Sequence, residues 1–243
     1  MPRGQRRGRL VVVSNRVPQL LKARTKEEER KLPVGGLVSV LRAAMEGEGG
    51  FWFGWSGKVR RHRSDASGRE LKVTSLGAVD IGTVDLHEDD HQLYYTGFCN
   101  RTLWPLLHSF PSRVLIREEE YRAYRRVNRR FARLLAPRLQ VGDRVWIHDY
   151  HLFPLAQELR HLGWDGRMGF FLHTPFPSHD VFSILPWARE LVESLTGCDL
   201  VGFHTRRFSM NFADTLTTEL GGTFDGSVYR LNGLRVRTSG TTD

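Results

Sequence analysis

Residues 145–177 read VWIHDYHLFPLAQELRHLGWDGRMGFFLHTPFP, and they divide into strand, helix and strand. The apolar segments 145–147 and 168–172 have the length and content of buried parallel strands. Between them, Leu152, Leu155, Leu159 and Leu162 recur at spacings of three and four, which predicts one face of a helix. Such a βαβ unit takes a right-handed crossover. The first strand runs into His148, Asp149, Tyr150 and His151; the second runs into His173, Thr174, Pro175 and Pro177. Open α/β sheets bind ligands outside the carboxyl ends of their strands, so Asp149 and His173 are expected to face one crevice.

Working outward, RLVVVS at 9–14 reads as a first parallel strand, ended by Asn15, Arg16, Val17 and Pro18. Residues 19–33, rich in Lys, Arg and Glu, read as a mobile loop. Gly35 and Gly36 then precede LVSVLRAAM, a short helical pattern stopped by Gly47, Gly49 and Gly50. That layout presents free backbone N–H groups to an anion, although a diglycine is equally a tight turn. Neither the G-x-G-x-x-G fingerprint nor a Walker A sequence occurs. Residues 51–95 read as a β-rich insertion, with a turn near Gly77. Downstream, helices are expected over 118–136, 189–195 and 208–220, and a strand over 198–203. Asn232-Gly233 marks a type I′ hairpin. The expectation is an α/β chain: a basic disordered tail over 1–8, then one Rossmann-like domain over 9–243, its parallel sheet flanked by helices.

The 243 residues are 40% apolar and 26% charged, an ordinary globular balance. No apolar run approaches the ~20 residues needed to span a bilayer, and no signal-peptide pattern follows the basic start. These features point to the cytoplasm and away from a membrane partner. Cys99 and Cys198 have neither metal-ligand nor redox spacing and read as buried small hydrophobes. The net charge of +9 gathers at 3–9, 58–63 and 122–138. A nucleic-acid binder could carry such clusters, but the third argues for a solvated helix face. There Glu118–Glu120 precede the arginines, Glu118 can pair with Arg122, and Tyr121, Tyr124 and Phe131 form an apolar stripe.

The strand ends therefore bear Arg16, Asp149, His173 and His204, beside a diglycine helix start and aromatic residues. A polar crevice with Trp and Tyr walls suits a sugar, and arginine suits a phosphate. His148 and His151 do not make a metal site by spacing alone, since no H-E-x-x-H or Cys set accompanies them. GWSGK is not the G-x-S-x-G nucleophile elbow, because Gly57 falls one residue early.

Eight motifs then occur in order: SNR at 14–16, GGL at 35–37, FGWSG at 53–57, YY at 94–95, LWP at 103–105, WIHDYHL at 146–152, GFFLHTPFP at 169–177 and VGFHT at 201–205. Together, over about residues 9–220, they resemble the trehalose-6-phosphate synthases, retaining glycosyltransferases of family 20 with two Rossmann-like domains in the GT-B arrangement. The resemblance implies transfer of glucose from a nucleotide sugar, usually UDP-glucose, to glucose 6-phosphate, with no cofactor and no metal. It implies that Arg16 holds the acceptor phosphate, and that Tyr95 and Trp104 line the acceptor pocket with Trp55 nearby. Selection of the acceptor anomer would be sought at Trp104. Asp149 would hydrogen-bond the acceptor sugar, Gly35 and Gly36 would approach the donor diphosphate, and His173 would sit beside the transferred glucose. Catalysis would thus centre on His173 and Asp149, without a carboxylate nucleophile, the donor phosphate helping to deprotonate the acceptor.

The family's second, donor-gripping domain would follow the terminal hairpin, where this sequence stops. An excised domain, a shifted reading frame and a natural half-protein with a partner are each compatible with that. Two other readings stand beside the synthase: a glucosylglycerol-phosphate synthase, and a non-catalytic sugar-phosphate-binding or regulatory half. The Tyr95 and Trp104 pair favours a hexose phosphate. A homo-oligomer is left open, and no nucleic-acid partner is expected.

Overall fold

A computed structural model of the chain describes residues 8–17, 45, 49–61 and 71–241. Gly35, Gly36, all but Met45 of the helix expected after them and the 19–33 loop lie outside the described residues, as does all but the last residue of the 1–8 tail.

Among the described residues, ten strands form one sheet in the order β3-β4-β2-β1-β5-β6-β7-β10-β9-β8. They are β1 (Leu10–Arg16), β2 (Gly50–Arg60), β3 (Lys72–Leu76), β4 (Val79–His87), β5 (Arg144–His148), β6 (Arg167–Phe171), β7 (Leu200–Thr205), β8 (Thr223–Phe224), β9 (Val228–Leu231) and β10 (Leu234–Thr241). From β4 across to β10 every pairing is parallel; the β3–β4 and β8–β9–β10 hairpins finish the two edges antiparallel. β1 is central, and the chain leaves it first toward β2 and later, beyond a long helix, toward β5. The order of winding reverses there, so the crevice belongs at the ends of β1 and β5.

The expected insertion over 51–95 is corrected by this topology. β2 is not an appendage: it pairs in parallel with β1 on one side and β4 on the other. Alternation in FWFGWSG reflects a strand buried on both faces, with Phe51, Phe53 and Trp55 in one core and Trp52 in the other. The turn at Gly77 does join a hairpin, β3 to β4, and Asn232-Gly233 joins β9 to β10 with both residues at positive φ. Residues beyond β4 are helical. α1 (Glu88–Asp90) runs into wide π-type turns over His91–Leu103 and then α2 (Trp104–Leu107).

Val11, Val13, Val145 and Ile147 face the larger core, whose helical cover includes α3 (Glu118–Leu135) through Tyr124, Val127 and Phe131. Val12, Trp52, Val79 and Ile81 face the smaller core on the opposite side, with Trp146 packed against it. Between β5 and β6, α4 (Leu155–His161) buries Leu155 and Leu159, and Leu152 is buried in the 3₁₀ turn before it. Leu162 departs from the expected stripe: it caps the helix and is 48% exposed. α5 (His179–Phe182), α6 (Ala188–Leu195) and α7 (Arg206–Leu220) complete the described helices. The arginines of α3 are largely paired within the chain, Arg122 with Glu118, Arg126 with Asp90, and Arg125 and Arg129 with Glu158. Both cysteines are buried, as expected from their spacing.

Candidate active site

Asp149 follows β5 immediately and sits at φ 76°, ψ 163°, a conformation that non-glycine residues rarely adopt. The surrounding structure enforces it. Asp149 N–H donates to the Phe171 carbonyl at 2.9 Å, tying the turn to β6. Tyr124 donates its hydroxyl to the Tyr150 carbonyl (2.7 Å) and accepts from Phe153 N–H (3.2 Å). Asn128 of the same helix donates to the His151 carbonyl at 3.0 Å. A residue held in a sparsely populated conformation by so many neighbours is characteristic of functional sites. Asp149 Oδ1 accepts from the backbone N–H groups of Tyr150 (3.0 Å) and His173 (3.4 Å). The other oxygen, Oδ2, lies 3.9 Å from His151 Nδ1 and accepts no hydrogen bond among the described residues. Burial lifts this carboxyl to about 6, against the pull of those two N–H donors and of His108 and His204.

His148, His151 and His173 are held neutral by burial. His148 Nδ1 and His173 Nε2 are 3.0 Å apart, and burial lowers His148 to about 3 and His173 to about 4. His204, at the end of β7, stands edge-on to His173 with ring centres 5.8 Å apart. His151 stacks between Tyr150 (4.1 Å) and Tyr95 (5.9 Å) and is depressed to about 3 by burial. A crevice with neutral imidazoles and one carboxylate offers uncharged donors and acceptors, the vocabulary of sugar hydroxyls.

On the other side of the switch point, β1 ends at Arg16. Its guanidinium lies 5.4 Å over the Trp55 ring and pairs with no carboxylate among the described residues. Gly57, at φ 86°, makes room for it: a Cβ there would stand 2.6 Å from Arg16 Nη2. The Gly of FGWSG that spoils a nucleophile elbow therefore seats an arginine. Trp55 in turn touches Tyr95, with ring centres 5.7 Å apart.

The sequence-predicted residues divide in their placement. Arg16, Tyr95, Asp149 and His173 gather at neighbouring strand and helix ends, Tyr95 through the His151 ring and His173 through the Asp149 carboxylate. Trp55 is only 4% exposed and belongs to the main core, so it supports Arg16 and Tyr95 from behind rather than offering an open face. Trp104 is 43% exposed and stacks on His108 at 4.2 Å. Gly35 and Gly36 lie outside the described residues. Sequence reasoning did not select His108, Asn15 or Tyr94. Tyr94 is buried and donates to Asn15 Oδ1 at 2.8 Å, bracing the end of β1 against the helical segment. Asn15 stands inside the SNR motif, which offered a signal for it; nothing marked His108 except its place four residues after Trp104.

A doubly wound α/β domain that gathers Arg16, the strained Asp149 carboxylate and the neutral rings of His148 and His173 at its switch point has the layout in which open α/β sheets bind ligands. Residues 8–239 match glycosyltransferase family 20, and the chain belongs to that family. It is 40% identical over 232 residues to a trehalose-6-phosphate synthase from Cronobacter sakazakii, covering 95% of this chain and 46% of that protein. A counterpart from Enterobacter sp. (strain 638) is 38% identical over 235 residues, covering 91% and 47%. Among solved structures, an alpha,alpha-trehalose-phosphate synthase (UDP-forming) from Burkholderia vietnamiensis superposes with a TM-score of 0.85 at 37% identity, covering 96% of this chain and 48% of that one. One from Burkholderia xenovorans, in complex with glucose-6-phosphate, gives 0.83 at 37% identity, covering 97% and 49%. The chain spans about half the length of the relatives it matches.

Proposed function

We propose that this chain is the acceptor-binding, N-terminal half of a retaining glycosyltransferase that moves glucose from a nucleotide sugar to glucose 6-phosphate, giving trehalose 6-phosphate. The observation that carries the reading is the placement, at the ends of neighbouring strands of one sheet, of the Arg16 guanidinium, which meets no carboxylate among the described residues, and the enforced carboxylate of Asp149. A sugar phosphate has an anion at one end and hydroxyls along its ring, and those two groups answer both needs. Arg16 binds the phosphate, Tyr95 packs against the pyranose, and Asp149 Oδ2 accepts from an acceptor hydroxyl. Trp104 extends the wall at the rim. His173 lies beside the transferred glucose, and Gly35 and Gly36 are assigned to the donor diphosphate. The fit to a hexose phosphate rather than glycerol 3-phosphate rests on the aromatic residues.

Asp149 orients and polarises the acceptor hydroxyl; it is no nucleophile, and the proton released on attack goes to the leaving phosphate of the donor. The relatives' names, which include UDP-forming enzymes, support UDP-glucose as donor. Calorimetric titration tests the acceptor assignment. Arg16→Ala should weaken glucose 6-phosphate binding roughly ten- to a hundredfold, the worth of a charge-assisted hydrogen bond, and leave unphosphorylated glucose nearly unchanged. Equal weakening of both ligands would remove Arg16 from the phosphate.

A further inference from the structure

His148 has no role in the reading above, yet it is 2% exposed and sits at the carboxyl end of a central strand. Its Nδ1 lies 3.0 Å from His173 Nε2, and the two rings are nearly parallel, with centres 5.3 Å apart. The remaining nitrogen of His148, Nε2, is buried and meets no hydrogen-bond partner among the described residues.

These facts choose between two proton arrangements. Two neutral imidazoles at this distance share one proton, so one nitrogen must donate and the other accept. If His173 Nε2–H donated, His148 would carry its own proton on Nε2, leaving a buried N–H with no acceptor. Orphaned buried N–H groups are rare and costly. If His148 Nδ1–H donates, its Nε2 keeps only a lone pair, the lesser penalty. His173 then accepts on Nε2 and must carry its proton on Nδ1. Burial disfavours the charged form of both rings, so the arrangement persists through neutral pH.

We infer that His148 is a positioning residue: its Nδ1–H fixes His173 in the Nδ1–H tautomer, so that His173 presents one uncharged donor to a hydroxyl oxygen of the transferred sugar. The sugar half of this inference rests on the proposed function; the tautomer half does not. Two of the motifs, WIHDYHL and GFFLHTPFP, thereby become one device, since the first His of one sets the proton of the only His in the other.

The experiment is nitrogen-resolved NMR of the full chain labelled with ¹⁵N-histidine, without sugar. The expected wild-type spectrum has His173 protonated on Nδ1 and bare on Nε2. His148→Asn keeps an N–H where Nδ1 stood and should retain that signature. His148→Leu removes the donor, and His173 should relax toward the Nε2–H form that free histidine favours. A wild-type His173 protonated on Nε2 overturns the inference outright, whether or not the Leu variant folds. An unchanged Nδ1–H form in a folded His148→Leu overturns it as well, because the tautomer would then be set elsewhere. No sugar enters these spectra, so their failure is distinct from a failure of the transferase reading, which the acceptor titrations test.

Discussion

Gly57→Ala should cripple phosphate binding without unfolding the domain. The added Cβ would stand 2.6 Å from Arg16 Nη2, 2.7 Å from Nε and 2.9 Å from Cζ, all closer than real Cβ contacts come. Those atoms are the far end of a flexible side chain, so the guanidinium yields before the backbone does. It should swing off the Trp55 ring and out of the crevice. Two terms set the magnitude. The left-handed conformation at φ 86° costs an alanine on the order of 1–2 kcal/mol of stability. Losing a charge-assisted hydrogen bond to the phosphate costs about 1.5–3 kcal/mol of binding, or roughly ten- to a hundredfold in Kd. The assay is a double-mutant cycle by calorimetry with glucose 6-phosphate, alongside urea melts. If Gly57 acts only by seating Arg16, the Gly57→Ala/Arg16→Ala double variant should bind as Arg16→Ala does. Wild-type affinity in Gly57→Ala, or a second full loss in the Arg16→Ala background, would refute the reasoning.

Other outcomes follow from the same geometry. Asp149 is raised to about 6 in the fold, above its unfolded value, so its ionisation opposes folding, and that burden appears as pH rises through about 6. Asp149→Asn should therefore exceed wild type in stability at neutral pH by up to about 3 kcal/mol while binding acceptor more weakly, the stability gain fading as pH falls toward 4; melts of both proteins across pH check it. His148 and His173 act oppositely, since their folded values near 3 and 4 mean stability is lost as pH falls from the ordinary histidine range, so only the difference between the two proteins isolates Asp149. Trp104→Ala should leave cooperative unfolding intact but diminish the tryptophan fluorescence change on adding glucose 6-phosphate. Trp55→Ala should instead lose about 3–5 kcal/mol of stability, as a buried aromatic does; equal effects on stability would contradict their placement. A polypeptide of residues 1–243 by itself should bind acceptor yet form no detectable trehalose 6-phosphate, because the resemblance puts the grip on the leaving diphosphate in a second domain. Losing even one such contact costs ~10²–10³ in rate. Robust turnover of UDP-glucose by that polypeptide would refute this division of labour.

The α/β class, the central βαβ unit and the strand-end residues Arg16, Asp149 and His173 were legible in the amino-acid order. Buried parallel strands must be short apolar runs, and the chain must turn where they end, so polar residues directly after VVV, WI and FFL mark the ligand side by local rules. The ladder partners of β2 were not legible. A strand buried on both faces lacks a polar face to mark its direction, and pairing with β1 joins residues some forty positions apart, so FWFGWSG read as an insertion until the parallel register appeared. Nor could spacing separate Trp55 from Trp104. Both are tryptophans in motifs, and only packing left one 4% exposed in the main core and the other 43% exposed. Proton placement lay further still from the one-dimensional record. The carboxyl near 6 at Asp149 and the coupling of His148 to His173 depend on burial and on a 3.0 Å approach across 25 residues, quantities that exist only once β5 and β6 lie side by side.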